Sequence, residues 1–349
     1  MLVTHHLSRI TFQDVLSQVV ELIENKQSFA ITTHIRPDGD GIGSSLGLCW
    51  LLRSLNKSAE VIAADEIPVA YRTLPGADEI RQVVEIDREY DAVFVIECSD
   101  VERPGIKGLA DQFTVNIDHH ATSEHFGSVN WIDSTASAVG EMIYNLCKAI
   151  GGRVTREIAE CLYLALVTDT GSFHFPNTTD RTLKVASELV RVGVKPADIS
   201  EAVYNSYPWS RIELMRRVLE TVKRNDTGRV AWMRQTLAMK TDSKAVDGDN
   251  NGFVNIPLAA REVLAVVYMR EVGPEQFRVS LRSKGDINVA KVAEQFGGGG
   301  HKNAAGCQVE GDWDEREREL VQAISEAVDK AVIDWPLPKR FDPNIRLVA

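Results

Sequence analysis

The sequence predicts an α/β fold: an N-terminal, mostly parallel sheet flanked by helices, joined through a helical connector to a smaller α/β C-terminal domain. Three observations lead there. Short apolar runs of strand type alternate with stretches of helical periodicity through the first half of the chain. Several of those runs end in acids or histidines, and in open α/β sheets the carboxyl ends of the strands face the ligand crevice. Finally, 349 residues, 44% hydrophobic and 26% charged, suggest two ordinary globular domains. The expected divisions are 1–190 for the first domain, 191–226 for the connector, 227–334 for the second domain and 335–349 for a tail.

Composition narrows the function classes. A net charge of −11 argues against wrapping a long duplex, which needs clustered Lys and Arg. It leaves room for a short nucleotide held by a metal site and a few local cations. The five cysteines (Cys49, Cys98, Cys147, Cys161, Cys307) show no paired spacing, and four sit in apolar runs, so buried reduced thiols are expected. The opening MLVTHHLSRITFQDV has no signal-peptide core and no apolar run reaches membrane-spanning length. A cytoplasmic protein with no membrane contact is expected.

In chain order, Thr11–Asn25 carries apolar residues at helical spacing with Thr11 as N-cap. Phe29–Thr33 reads as a strand, running into a loop with His34, Asp38 and Asp40, and a helix follows from Ser45 to Leu55. The prolines and glycines of that loop let several side chains converge; the structural alternative is that its acids merely cap the helix. Ala59–Asp65 is a second strand, and Asp91–Glu97 a third, ending in Glu97 with Asp100 further out. Arg103, just beyond, could face the same cleft or cover a surface. A fourth strand from Phe113 ends in Asp118-His119-His120, and a fifth spans Ser128–Asp133. Helices are expected over Ala138–Ile150 and Arg156–Thr168, the second delivering Asp169. A helix C-terminus is electrostatically poor for a carboxylate, so Asp169 suggests a nearby cation, with a C-cap hydrogen bond as the competitor.

Further helical pattern covers Thr179–Val194 and Lys195 to about Arg224. The second domain opens with a strand at Gly228–Met233. A helical stretch Asn255–Leu264, paired strands Leu264–Met269 and Gln276–Arg282, and a helix Asn288–Phe296 follow. The run Gly297–Gly300 with His301 then reads as a glycine loop whose backbone N–H groups could approach an anion, or as a flexible turn. A helix from Asp314 to Ile333 ends the domain. The loop Asp247–Gly252 lacks calcium-loop spacing and is discounted.

Strand ends therefore supply His34 with Asp38 and Asp40, then Glu97, then Asp118 with His119 and His120, and a helix end adds Asp169. Carboxylates with a few imidazoles suit Mn²⁺, Mg²⁺ or Fe²⁺ better than a soft thiolate site does. The donors exceed what one ion needs; two ions sharing a carboxylate would account for them. Such a pair activates water and stabilises in-line displacement at phosphorus.

His34-Ile-Arg-Pro-Asp38-Gly-Asp40, Asp118-His119-His120, Asp169 and Gly-Gly-Gly-His301-Lys-Asn-Ala-Ala-Gly together resemble the DHH phosphoesterase superfamily. The glycine motif is similar to the DHH-associated C-terminal domain of its oligoribonuclease (nano-RNase)/pAp-phosphatase branch. The resemblance implies an N-terminal domain holding two divalent ions, Mn²⁺ foremost, and a C-terminal domain binding nucleotide across an interdomain cleft. It assigns His34 and Asp38 to one metal and Asp40, His119 and Asp169 to the other. Glu97 stands where the family has a bridging Asp, one methylene shorter. Asp118, His119 and His120 form the catalytic group, with His120 on the scissile phosphate and Asp118 orienting a histidine. Arg282 and His301 match positions that clamp the substrate's terminal phosphate or base, and Arg103, Ser283, Gly299 and Gly300 are counted with them. A dimer is common among such relatives.

The expected function is a metal-dependent phosphoesterase that degrades very short RNAs to mononucleotides and converts 3′-phosphoadenosine 5′-phosphate (pAp) to AMP. The alternatives are a cyclic or linear dinucleotide phosphodiesterase and, from another class, a catalytically impaired nucleotide sensor motivated by Glu97. Pyrophosphate or polyphosphate hydrolysis is disfavoured by the glycine motif with Arg282.

Overall fold

The computed structural model describes residues 12–332. The expected N-cap Thr11, His5, His6 and the tail from 335 lie outside the described residues. The chain divides into two compact units at Ser206/Tyr207, inside the stretch expected as a connector.

Unit 1 comprises α1 (Phe12–Asn25), β1 (Ser28–Thr33), α2 (Gly39–Ser54), β2 (Ser58–Ala63), β3 (Arg81–Gln82), β4 (Ala92–Ile96), β5 (Thr114–Asp118), β6 (Val129–Ile132), α3 (Val139–Ala149), α4 (Arg156–Asp169), α5 (Asp180–Val192) and α6 (Pro196–Tyr204). Its six strands lie in the order β3-β2-β1-β4-β5-β6, every neighbouring pair parallel. The chain moves outward from β1 to β3, then crosses back to build β4, β5 and β6 on the other side. The order thus reverses between β1 and β4, and ligands of open α/β sheets bind at the carboxyl ends beside such a reversal. The β-branched and aromatic runs explain why the strands can be buried on both faces. Phe29, Ile31, Phe94, Ile96, Val115 and Ile117 pack on the helix layer. Ala30, Ile62, Val93 and Val95 face Cys98, Ile106 and Leu109 on the other side.

Within the helix layer α2 and α4 nearly touch at their backbones. A Cβ on Gly43 would stand 2.5 Å from the Cys161 carbonyl oxygen, one on Gly47 would stand 2.6 Å from Leu162, and one on Gly39 would run into Thr168. Gly39, Gly43 and Gly47, four residues apart, form one face of α2, and only glycine fits along it.

Unit 2 comprises α7 (Trp209–Leu219), β7 (Lys223–Arg224), β8 (Val230–Gln235), α8 (Leu237–Ser243), α9 (Asn255–Leu258), β9 (Ala265–Gly273), β10 (Gln276–Ser283), α10 (Val289–Glu294), β11 (Gly299–His301), β12 (Ala304–Glu310) and α11 (Trp313–Val332). The sheet order is β11-β12-β10-β9-β8-β7, antiparallel throughout except for the parallel pair β8–β9. One face packs Val267, Met269, Val279 and Leu281 against α10 and α11. The other packs Ala231, Met233, Val266 and Tyr268 against Leu214, Val218 and Phe253.

The α/β class and the two-sheet architecture are as the sequence predicts, but several local expectations are corrected. The helix expected from Ser45 begins at Gly39, so Asp40 sits in its first turn rather than in a loop. The single helical region from Lys195 to Arg224 is two helices broken by Pro208, followed by the short edge strand β7. The helix expected to reach Leu264 spans only Asn255–Leu258. The glycine run is not a free loop: Gly299–His301 pair with Ala304–Gly306 as an edge hairpin. A Cβ on Gly300 would meet the Ala304 carbonyl oxygen at 2.6 Å, so close strand approach is what the glycine serves there. All five cysteines are buried and unbridged. Among the described residues, no helix is long and apolar enough to cross a membrane.

The α2–α4 contact yields a stability prediction. Alanine normally favours a helix over glycine, yet Gly43→Ala should destabilise by about 1–3 kcal/mol through overpacking against the Cys161 carbonyl. Urea titration checks this: the midpoint should fall with the slope unchanged.

Candidate metal centre

His34 follows β1 directly, Glu97 follows β4, and Asp118 ends β5, so three neighbouring strands deliver them to one edge of the sheet. Asp38 is the N-cap of α2, accepting from the Gly41 N–H at 3.0 Å. Helix capping and cluster membership are therefore both true of Asp38. Asp40, two residues on and fully buried, accepts from Ser44 Oγ at 2.7 Å and from the N–H groups of Val139 and Gly140 at 2.7 and 3.0 Å. Those two N–H groups open α3, whose positive end favours a carboxylate. Asp169 ends α4, the unfavourable end. Asn177 Nδ2 reaches its carboxylate and its carbonyl, both at 3.2 Å, and the Ser137 carbonyl at 3.0 Å.

Metal-type donor atoms gather in three overlapping groups: His34, Asp38 and Glu97; Asp40, His119 and Asp169; and Glu97, His119 and His120. Their spacing carries information. His34 Nε2 lies 3.8 Å from both Asp38 Oδ1 and Glu97 Oε2. His119 Nε2 lies 3.8 Å from Asp40 Oδ2 and 3.7 Å from Asp169 Oδ2. These separations are too long for hydrogen bonds. They lie within the span of about 4.2 Å that two donors can have on one ion when each bond is near 2.1 Å.

The imidazole tautomers agree. His34 Nδ1 donates to the Ile35 carbonyl at 2.9 Å and His119 Nδ1 donates to the Ala136 carbonyl at 3.2 Å. A carbonyl can only accept, so each Nδ1 carries the proton and each Nε2 keeps a lone pair turned to the acids. Glu97 Oε2 and His119 Nε2 are buried without a hydrogen-bond partner among the described residues. Buried polar atoms are rarely left so, and a cation accepting these lone pairs would satisfy them.

Charge repulsion makes the same demand. Burial, then the charges of Asp38, Asp40 and Asp169, push the Glu97 carboxyl well above the usual range. Burial, then the charge of Asp40, pushes Asp169 up to about 7. Glu97 also holds a left-handed backbone, φ +58°, which disfavours side chains other than glycine by about 1–2 kcal/mol. Below Glu97, Gly41 packs so close that a Cβ would stand 3.2 Å from Glu97 Oε2.

Asp118 is fully buried and accepts from the N–H groups of His119 and His120 and from His120 Nδ1, the last at 2.8 Å. Burial pushes its carboxyl up, but the hydrogen bond and charge of His120 carry it below the usual range. The Asp118 hydrogen bond in turn raises His120, against the effect of burial. The His119 and His120 rings meet edge-on at 4.8 Å.

Arg103 is exposed, and its carbonyl accepts from the Ile35 N–H at 2.9 Å, tying its loop to the segment after His34. In unit 2, Arg282 is half-buried with no carboxylate partner among the described residues; burial lowers its pKa. Ser283 turns inward, donating to the Ile287 carbonyl at 2.7 Å and accepting from Asn303 at 2.9 Å. Gly299, Gly300 and His301 are exposed on β11. His174 is exposed and belongs to none of the donor groups. Sequence reasoning missed Asn177 and buried Glu141. Glu141 accepts from Ser137 Oγ at 2.9 Å and Arg181 Nε at 2.7 Å, holding the segment before α3. No spacing signal marks either residue.

Two family models match the chain: "DHH family, N-terminal domain" over residues 28–166 and "DHHA1 domain" over residues 235–330. The "bifunctional oligoribonuclease and PAP phosphatase NrnA" of Thermus thermophilus is 33% identical over 319 residues, covering 91% of this chain and 94% of the relative. The protein of that name from Bacillus subtilis is 28% identical, covering 87% and 96%. Among solved structures, an exopolyphosphatase-related protein from Bacteroides fragilis superposes with a TM-score of 0.84 at 29% identity, covering 92% of this chain and 98% of that one.

The raised carboxyl pKa of Asp169 fixes a sign. A carboxyl whose folded pKa lies above its unfolded value binds protons more tightly when folded, so the metal-free fold loses stability as pH rises from about 4 to about 7. In chelator the melting temperature should fall across that window, and saturating divalent cation should flatten the curve. Glu97→Gln should melt at or above wild type in chelator and lose most of the cation-induced rise. A Glu97→Gln protein that keeps the full rise would contradict a role for Glu97 in cation binding.

Proposed function

The chain belongs to the DHH family of phosphoesterases, and on that premise we propose that it removes mononucleotides from very short RNAs and converts 3′-phosphoadenosine 5′-phosphate to AMP in the cytoplasm. DHH phosphoesterases use divalent metal ions, and the acids and histidines gathered here could bind them. The finer assignment is ours: two ions, Mn²⁺ by preference, one held by His34 and Asp38 and the other by Asp40, His119 and Asp169, with Glu97 between them. The observation that carries this reading is the double membership of Glu97, which shares one donor group with His34 and Asp38 and another with His119 and His120. When bound, such ions supply an activated water and neutralise charge developing at phosphorus.

The protein's own groups supply the rest. Asp118 orients His120 through its hydrogen bond and favours the charged form, so that His120 can donate a hydrogen bond or proton to a phosphoryl oxygen. The Val139 and Gly140 N–H groups and Ser44 fix Asp40 in place and offset part of the burial that raises its carboxyl, and Asn177 fixes Asp169. In unit 2 Arg282 is the natural partner for a substrate phosphate, since a half-buried guanidinium with no carboxylate partner among the described residues can offer its fork of N–H donors to two phosphate oxygens. His301, with the exposed backbone of Gly299 and Gly300, would complete that contact, and Arg103 is assigned a further phosphate. Ser283 acts through its hydrogen bonds, by holding the turn that follows Arg282. Short substrates fit the charge: a chain of net charge −11 with a few local cations can hold one or two phosphates, not a long backbone.

With Mn²⁺, purified protein should turn over a diribonucleotide and pAp faster than a 24-mer RNA. Equal or faster cutting of the 24-mer, or faster phosphate release from pyrophosphate, would overturn the substrate assignment; faster turnover of a cyclic dinucleotide would redirect it. His120→Ala should lower kcat on both substrates by roughly 100-fold or more while keeping the cation-induced rise in melting temperature. Loss of that rise would move His120 from the phosphate to the metal.

A further inference from the structure

Two buried oxygens beside the candidate centre have no hydrogen-bond partner among the described residues, and they border the same gap. Thr33 closes β1 on the face that carries Phe29 and Ile31, toward the helix layer. It is 1% exposed, and its Oγ1 meets neither donor nor acceptor among the described residues. A hydroxyl can both donate and accept, and is rarely buried with neither satisfied. The second oxygen is Glu97 Oε2.

Gly41 of α2 brings the two together. A Cβ there would stand 2.4 Å from Thr33 Oγ1 and 3.2 Å from Glu97 Oε2, so glycine leaves hydroxyl and carboxylate bordering one opening. The sheet supports this placement, since Thr33 pairs with Ile96, the residue before Glu97, in the β1–β4 register. Alternation along β4 puts Phe94 and Ile96 on the helix side and would send Glu97 to the face of Val93 and Val95. The left-handed backbone of Glu97, φ +58°, ends that alternation, and its carboxylate lies against α2. Threonine suits a strand by its branched shape alone. Valine has that shape too, and shape does not account for a hydroxyl at this gap.

Resting on the placement of Glu97 between two cations, we propose that Thr33 is a positioning residue of the centre. Its hydroxyl donates to the Glu97 carboxylate across the gap at Gly41 and fixes the direction of that group. Glutamate has one more side-chain torsion than aspartate, and so more freedom to lose in holding a single geometry. A donor at the end of a buried strand limits that freedom. A carboxylate oxygen has two lone pairs, so Oε2 can take the Thr33 hydrogen and still serve the cation position beside His34, whose Nε2 is 3.8 Å away. Thr33 thus does for the glutamate what the Ile35 and Ala136 carbonyls do for the two imidazoles.

Thr33→Val removes the hydroxyl and keeps the shape. Mn²⁺ binding is read from the electron paramagnetic resonance signal of the free ion, with the melting temperature in chelator as the control on folding. Thr33→Val should melt at or above wild type in chelator, because an unsatisfied buried hydroxyl is gone. Its Mn²⁺ dissociation constant should nevertheless rise about tenfold or more. Thr33→Ser should restore most of the affinity, and Thr33→Ala against Thr33→Ser repeats the comparison without relying on the fit of valine. In a Glu97→Gln background Thr33→Val should add nothing, since both changes act through one carboxylate. Unchanged affinity in Thr33→Val, equal weakening in Thr33→Ser, or additive losses in the double variant overturns the assignment. If Glu97→Gln itself binds Mn²⁺ as tightly as wild type, the placement of Glu97 fails and the role of Thr33 falls with it. If Glu97→Gln weakens binding and Thr33→Val does not, the role of Thr33 alone is overturned.

Discussion

The close approach of α2 and α4 is the constraint from which the candidate centre follows. Backbone meets backbone along Gly39, Gly43 and Gly47, which places the start of α2 beside the end of α4. The start of α2 carries Asp38 and Asp40; the end of α4 carries Asp169. Both arrive at the sheet edge where β1, β4 and β5 deliver His34, Glu97 and Asp118. Any side chain larger than hydrogen along that stripe would push the helices apart and separate Asp169 from Asp40. Packing deep in the helix layer thus sets distances of 3.7–3.8 Å at the surface of the cluster.

Closeness carries an electrostatic penalty that the unit relieves only in part. Asp40 is better supported, with two N–H groups of α3 and the Ser44 hydroxyl on its oxygens, although burial still raises its carboxyl. Asp169 and Glu97 are less so: one sits at a helix's negative end, and the other buries an oxygen with no hydrogen-bond partner among the described residues. Their raised carboxyl pKa values express that shortfall. Asp118 is different in kind. Its Oδ1 takes three donors and pairs with His120, which holds its carboxyl below the usual range, while its Oδ2 is buried without a hydrogen-bond partner among the described residues. The acids thus sort into two sets, those that lack positive charge and one that supplies orientation. Glu97 also holds a left-handed backbone at the end of β4, a conformation kept despite its cost.

Much of this was legible in the sequence because chemistry-bearing residues stood at the ends of apolar runs. His34, Glu97 and Asp118-His119-His120 could be placed on strand ends by pattern alone, and the parallel sheet followed from alternation. The start of α2 was not legible: Gly39, Gly41 and Gly43 have the local propensities of a loop, and only tertiary contact with α4 and β1 makes them helical. The glycine run before His301 misled for the same reason, since close strand pairing, not loop freedom, requires its glycines. Two-residue strands such as β3 and β7 carry too little pattern to be seen. Asn177 and Glu141 act by hydrogen bonds across the fold, which no spacing rule reports. The role of Ser283 was also hidden, because its hydroxyl is used inside its own turn.

The central claim is that Glu97 links two cation positions built from the ends of β1, α2, β4, β5 and α4. Anomalous-scattering density from crystals grown with Mn²⁺ tests it most directly. The account predicts two peaks per chain about 3.5–4 Å apart, both within bonding distance of Glu97, one beside His34 and the other beside His119. A single peak, or two peaks of which Glu97 touches neither, would contradict it.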